Sequence, residues 1–191
     1  MRHRFTLCFA LLCTTVLAAP DDTVLNAGIF SPPRQAPDFS LQGSDGGALQ
    51  LSHYRGKVVL LSFGYTSCQE VCPVTLAVLA TAHRKLGAAG AGVQVVYVTV
   101  DPDRDDARKM HQYLAAFDRS FIGGSGTSEQ LAAVRALYGI TATRHPTAGG
   151  YVIAHSSYVL LIDREGKIRA LMPFGRAADD YVHDLGILLR K

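Results

Sequence analysis

The sequence has no tryptophan and only four cysteines in 191 residues. It also has little net charge, with 19 Lys and Arg against 16 Asp and Glu, a formal +3. Arg2 and Arg4 belong to an apolar N-terminal segment, and setting them aside leaves 17 basic against 16 acidic residues, or +1. So nearly neutral a chain, with no basic stripe interleaved with aromatics, gives no footing for nucleic acid as a partner. No apolar run reaches the roughly 20 residues that span a bilayer as a helix. Internal repeats, low-complexity tracts and signs of a second domain are all missing. The chain therefore reads as one domain, long enough to bury a core.

What the N-terminus does contain is Arg2-His3-Arg4 followed by an apolar stretch from Phe5 to Ala19. A basic start, a run of about 15 apolar residues and small residues near Val16-Leu17-Ala18 have the form of a secretory signal peptide. A short uncleaved anchor is the alternative. Leu11-Leu12 before Cys13 lacks the small residue expected ahead of a lipoprotein cysteine. The expected organisation is a leader over residues 1–19, an extended lead-in over 20–36 and a folded domain over 37–191, in an exported, periplasmic protein. Loss of the leader removes Cys8 and Cys13, so the mature chain keeps Cys68 and Cys72 alone.

Those two cysteines lie in Phe63-Gly64-Tyr65-Thr66-Ser67-Cys68-Gln69-Glu70-Val71-Cys72-Pro73. A β-branched apolar run, Val58 to Phe63, precedes this stretch and reads as a buried strand; a helical pattern from Val74 to Leu86 follows it. Pro73 fits the first helical turn, where a missing N–H costs little. A helix N-terminus favours thiolate over thiol, and thiolate is the form that ligates metal or attacks a disulfide. In an exported protein two cysteines usually form a structural disulfide. Here the loop would be too short to restrict the unfolded chain much. On a regular helix i and i+4 Cβ atoms stand about 5–6 Å apart, whereas a relaxed disulfide wants roughly 3.5–4.5 Å. The pair thus reads as a reducible disulfide or a metal chelate.

Along the rest of the chain, Asp38–Gln42 and Ala48–Leu51 flank a Gly-Ser-Asp-Gly-Gly cluster and predict a small hairpin. Gly87 to Gly92 reads as a flexible loop. Val93–Val100 is nearly continuously apolar, as a parallel strand covered on both faces should be. Acidic residues after it open a helix over Ala107–Phe117. Phe121–Gly124 is a brief extended piece. Thr127-Ser128-Glu129-Gln130 caps a helix that Gly139 ends. Thr141 to Gly150 is polar and loop-like. Tyr158–Ile162 and Lys167–Leu171 predict an antiparallel hairpin. Ala177–Leu189 is a closing helix with Tyr181, Leu185 and Leu188 on one face. The order gives an α/β domain with a central mixed sheet flanked by helices. No amphipathic stripe is left for a partner helix, which favours a monomer.

The arrangement is similar to a thioredoxin-like fold with an N-terminal β-hairpin extension, and Pro37-Asp38-Phe39 strengthens the likeness. Within that superfamily Gly64–Pro73 resembles the Sco/SenC family of copper-binding assembly proteins. Asp101-Pro102-Asp103-Arg104-Asp105 matches that family's Asp-Pro-x-Arg-Asp segment, Phe121-Ile122-Gly123 its short strand, and His155 its histidine before a strand. The resemblance covers Pro37 to Leu189. It implies one copper ion, Cu(I) or Cu(II), held by Cys68, Cys72 and His155. It also implies delivery to the copper centre of cytochrome c oxidase subunit II or a similar exported cuproprotein, with a thiol reductant as a second partner. Thiolates suit Cu(I), and imidazole suits either state. Three donors leave a position open for ligand exchange, unlike the closed four-ligand sites of structural zinc. Between the cysteines the family carries Pro-Asp where this chain has Gln69-Glu70. Glu70 keeps a carboxylate behind the ligands, and Asp101 is a second acid of that kind or simply a helix opener.

The alternative function is a thiol–disulfide oxidoreductase acting on exported partners, with Cys68 attacking and Cys72 resolving. A peroxiredoxin reading fails, because Thr66 stands two residues from Cys68 rather than three. His83, His111 and His183 read as residues of solvated helix faces, His53 as a surface or packing residue, and His145 as a loop residue near His155. Tyr65 and Phe63 read as core, with a shield for the sulfurs as the alternative.

Overall fold

The computed structural model describes residues 24–190, so the leader expected over residues 1–19 lies outside the described residues. The chain runs through β1 (Gly28–Gln35), β2 (Ser40–Gly43), β3 (Ala48–Gln50), β4 (Val58–Gly64), α1 (Val71–Lys85) and β5 (Val93–Thr99). It continues through α2 (Ala107–Ala115), β6 (Ile122–Ser125), α3 (Ser128–Tyr138), β7 (Ala142–Thr147), β8 (Gly150–His155), β9 (Tyr158–Ile162), β10 (Lys167–Pro173) and α4 (Ala178–Arg190). Eight strands form one mixed sheet in the order β1-β10-β9-β4-β5-β6-β2-β3, and β7 pairs with β8 in a separate two-stranded ribbon. Among the described residues, no helix is long and apolar enough to cross a membrane.

The centre of the sheet follows from composition. All seven residues of β4 are buried, as are six of seven in β5, because helices cover both faces of these β-branched runs. They pair in parallel, from Val58 opposite Val93 to Gly64 opposite Thr99. On the other side β9 runs antiparallel to β4, with Ser62 opposite Val159. This register decides where the chemistry falls. The C-terminal ends of β4 and β5 and the N-terminal end of β9 share one edge. The cysteine loop, the Asp101–Asp105 segment and the chain just ahead of β9 therefore converge there. α1 packs on α4, where Tyr181, Leu185 and Leu188 are buried as their spacing predicts. α3 carries the full reciprocal cap at Thr127 and Gln130, and Gly139 ends it with φ +66°, a left-handed conformation that favours glycine.

Four stretches differ from expectation. The extended lead-in is a hydrogen-bonded edge strand, β1, antiparallel to β10. Its side chains stay exposed, and its two prolines sit where the register shifts, which is why composition alone hides it. Gly87–Gly92 forms a 3-10 turn, not a flexible loop. Thr141–Gly150 is mostly β7, whose ladder with β8 runs from Ala142–His155 to Thr147–Gly150. Neither face of β7 is buried, so no apolar alternation marks it. The helix expected to reach Phe117 stops at Ala115.

Candidate metal centre

Cys72 lies in the first turn of α1, while Cys68 stands before it, in the turn closed by Cys68 N–H donating to Tyr65 O at 3.3 Å. The pair is therefore not a regular i, i+4 helical pair, and both thiols are free. Cys72 is buried and Cys68 half-buried. Burial pushes the Cys72 thiol up to about 12, with the Tyr97 hydroxyl and the Tyr65 backbone N–H pulling the other way. Burial also opposes ionisation of Cys68, but the backbone N–H groups of Cys72, Glu70 and Val71 and the Cys72 thiol outweigh it, so Cys68 is held below the ordinary thiol value. Those N–H groups belong to the open first turn of α1, as the helix-terminus argument requires.

One chemical consequence is immediate. The apo, reduced protein treated with iodoacetamide near neutral pH should lose Cys68 well before Cys72, read by peptide mass spectrometry. The Cys68 rate should rise with pH ahead of the Cys72 rate, because thiolate is the nucleophile.

His155 ends β8, and its Nε2 lies 3.5 Å from Cys72 Sγ. Its Nδ1 is 2.8 Å from Ser156 O, a bond that only a protonated Nδ1 can make. The Nε2 lone pair is thereby left facing the sulfur. Burial lowers the His155 pKa, and the Ser156 carbonyl offsets part of that, so the ring is held neutral as a ligand must be. Two sulfurs and a neutral imidazole nitrogen are a donor set that fits copper, above all Cu(I). Among the described residues, no three His, Cys, Asp or Glu side chains are already gathered at ligating geometry. Cys72 and His155 meet, with Cys68 beside Cys72, and a metal would draw the three together. The site opens into a cavity of about 790 Å³ whose lining includes Tyr65, Cys68, Glu70, Arg104, Tyr151 and His155.

The β7–β8 ribbon that carries His155 is fastened to the Asp101–Asp105 segment. The Tyr151 hydroxyl donates to Asp101 Oδ1 at 2.7 Å, and Arg104 pairs with the other Asp101 oxygen while donating to Tyr151 O at 3.1 Å. The Tyr151 ring lies between two guanidinium groups, Arg104 at 3.8 Å and Arg144 at 3.9 Å. Arg144 also pairs with Asp103 at 2.6 Å. Tyr65 completes the attachment: its hydroxyl accepts from Ile153 N at 3.2 Å, and its ring meets His155 edge-on at 5.9 Å. Tyr65 is thus core and also a support for the histidine. Phe63 packs on Tyr138 instead.

The two acids expected behind the ligands are placed differently. Asp101 is fully buried and touches neither sulfur nor His155, and it holds the ribbon through Tyr151 and Arg104. It does not open α2, which Asp106 caps through Lys109 N. The Glu70 carboxylate is exposed, and Glu70 favours the Cys68 thiolate through its backbone N–H. Asp105 went unassigned in the sequence, yet it is the hub of the cysteine loop. It accepts from Thr66 N at 2.9 Å, Thr66 Oγ1 at 2.6 Å and Thr99 Oγ1 at 2.7 Å. Its place in the Asp-Pro-x-Arg-Asp segment was the signal available. His53, His111 and His145 are exposed, whereas His83 is half-buried between Asp118 and the Gly90 carbonyl rather than solvated. His183 is likewise half-buried, against Asp184.

Comparison with known proteins identifies the family to which this fold belongs. The SCO1/SenC family model matches residues 30–190. The chain is 30% identical to a Stutzerimonas stutzeri protein named as copper-binding, over 87% of this chain and 85% of that one. It is 32% identical to the mitochondrial SCO2 homologue of Mus musculus over 78% of its own length, and spans 60% of that protein. Copper-bound ScoI of Bradyrhizobium japonicum superposes with a TM-score of 0.75 at 31% identity, covering 81% of this chain and 99% of the other. Apo Sco1 of Thermus thermophilus gives 0.78 at 34% identity, covering 87% and 98%. The chain belongs to the SCO1/SenC family.

Proposed function

We propose that this protein binds one copper ion through Cys68, Cys72 and His155 and delivers it to an exported cuproprotein, the copper centre of cytochrome c oxidase subunit II being the recipient the family implies. The observation that carries the reading is the approach of His155 Nε2, lone pair forward, to the Cys72 sulfur at 3.5 Å beside the second thiol. Binding displaces the thiol protons to solvent and leaves a three-donor site that opens to a cavity. An incoming thiolate or imidazole from the recipient can add there, and one resident donor can leave, so copper passes without ever being bare. An apolar leader over residues 1–19 supports export to the periplasm or retention at the membrane surface.

The test is copper content of the reduced, full-length protein after desalting. One copper per chain in the parent, lost in Cys68→Ser and Cys72→Ser, supports delivery. A parent that holds no copper while its cysteines cycle readily between dithiol and disulfide overturns it.

That second outcome belongs to the other reading, a thiol–disulfide oxidoreductase. One observation favours it: the two thiols differ in character, the half-buried Cys68 suited to attack and the buried Cys72 to resolution.

A further inference from the structure

Beneath Cys72 the sheet has a tyrosine where a core position calls for phenylalanine. Tyr97 is in the middle of β5, is 1% exposed, and its hydroxyl has no hydrogen-bond partner of ordinary geometry. A buried hydroxyl without a partner is costly, so its presence asks for a use. Its surroundings supply one. A methyl group built on Gly64 would stand 2.1 Å from Tyr97 Oη and 2.8 Å from Cys72 Sγ. The hydroxyl and the sulfur thus share the space that Gly64 leaves by having no side chain. The other polar group reaching this sulfur from the sheet side is the Tyr65 backbone N–H, and His155 approaches from the ribbon. Tyr113, whose hydroxyl is also buried without a partner, lies a further ring away at 6.4 Å.

We infer that Tyr97 is a positioning residue for the copper site, its hydroxyl donating a hydrogen bond to the Cys72 sulfur once that sulfur carries the negative charge of a copper ligand. Gly64 is the gap that lets the two atoms meet. The inference rests on the copper-delivery reading. A neutral thiol is a weak acceptor; a metal-bound thiolate is a strong one. The bond draws electron density from the sulfur. It therefore lowers the energy of the sulfur donor orbital, and it holds the ligand in place while His155 or Cys68 exchanges. Hydrogen bonds to a cysteine sulfur tune copper sites in this way.

Tyr97→Phe removes this hydroxyl and leaves the ring. Loaded with Cu(II), the variant should still bind one copper, with its sulfur-to-copper charge-transfer absorption moved to longer wavelength. It should lose Cu(I) to a competing chelator roughly tenfold more readily. An unchanged band and unchanged Cu(I) retention in a loaded variant overturn the inference alone. A parent that binds no copper overturns the delivery reading, and the inference with it. A measurement without any variant stands beside these. In the Cu(I)-loaded parent, so buried a phenolic proton should exchange slowly and appear by NMR with a cross-peak to the Cys72 β-protons. Its absence overturns the proposal.

Discussion

Replacing His155 by alanine is expected to weaken copper binding by at least about a hundredfold while leaving the fold and both thiols intact. Loss of a residue that merely orients a ligand costs roughly 10–100-fold in metal affinity, and loss of a ligand should exceed that. The side chain is well suited to so clean an experiment. It ends β8 at the ribbon's last paired position, opposite Ala142, and its half-buried ring meets the edge of Tyr65 and the sulfur of Cys72. Removing it takes away a nitrogen donor together with these two contacts, neither of which belongs to the pairing of the central sheet. Competition with a Cu(I) chelator reads the affinity, and thermal unfolding of the apo protein checks that the fold is kept. Near-normal affinity would mean that the two sulfurs hold copper by themselves and that His155 serves some other step. The same variant divides the two functions. Thiol exchange with a model disulfide has no need of the imidazole and should proceed in the variant at close to the parent rate. An activity that survives alongside lost copper would show the two roles to be separable on one pair of cysteines.

The central fold was legible because the sheet is buried on both sides. Val58–Phe63 and Val93–Val100 announce themselves as apolar runs, and their parallel pairing follows from the helix between them. What escaped were the elements whose side chains face water. β1 and β7 are held by backbone hydrogen bonds and leave no periodic trace; their prolines argue against strands in isolation. The candidate ligands were legible for a different reason. A cysteine pair at a strand-to-helix turn is a chemical signal that needs no knowledge of packing. The supports were not, since a carboxylate's role depends on which donors the fold brings to it. Asp101 and Asp105 look alike in the sequence, four residues apart. In the structure one ties down the ribbon of His155 and the other the loop of the cysteines. Glu70 shows the converse: the sequence points to its carboxylate, but the residue is exposed, and the group that bears on Cys68 is the main-chain N–H, which any amino acid other than proline would supply.

Asp105→Ala is expected to destabilise the apo protein by about 3–5 kcal/mol, a loss comparable to breaking a buried ion pair. The carboxylate is fully buried, and three donors from two different elements end on it. Lys109 Nζ lies 3.6 Å away and supplies partial charge balance. With alanine in its place, Thr66 N–H, Thr66 Oγ1 and Thr99 Oγ1 lose their acceptor in a region water does not reach freely, and each such loss costs about 1–3 kcal/mol. Denaturant unfolding of the apo protein measures this directly. Asp105→Asn separates shape from charge. Its single amide oxygen can serve some of the donors, but its NH2 group must face one of the others, so it should fall between alanine and the parent. The effect on copper should follow stability rather than ligand chemistry. Where the variant remains folded, the Thr66–Cys68 turn is slack, Cys68 no longer sits against the first turn of α1, and its head start over Cys72 toward iodoacetamide should shrink. A variant as stable as the parent, with Cys68 still reacting first, would show that the loop is held by the sheet alone and that Asp105 is a passenger in its own hydrogen-bond cluster.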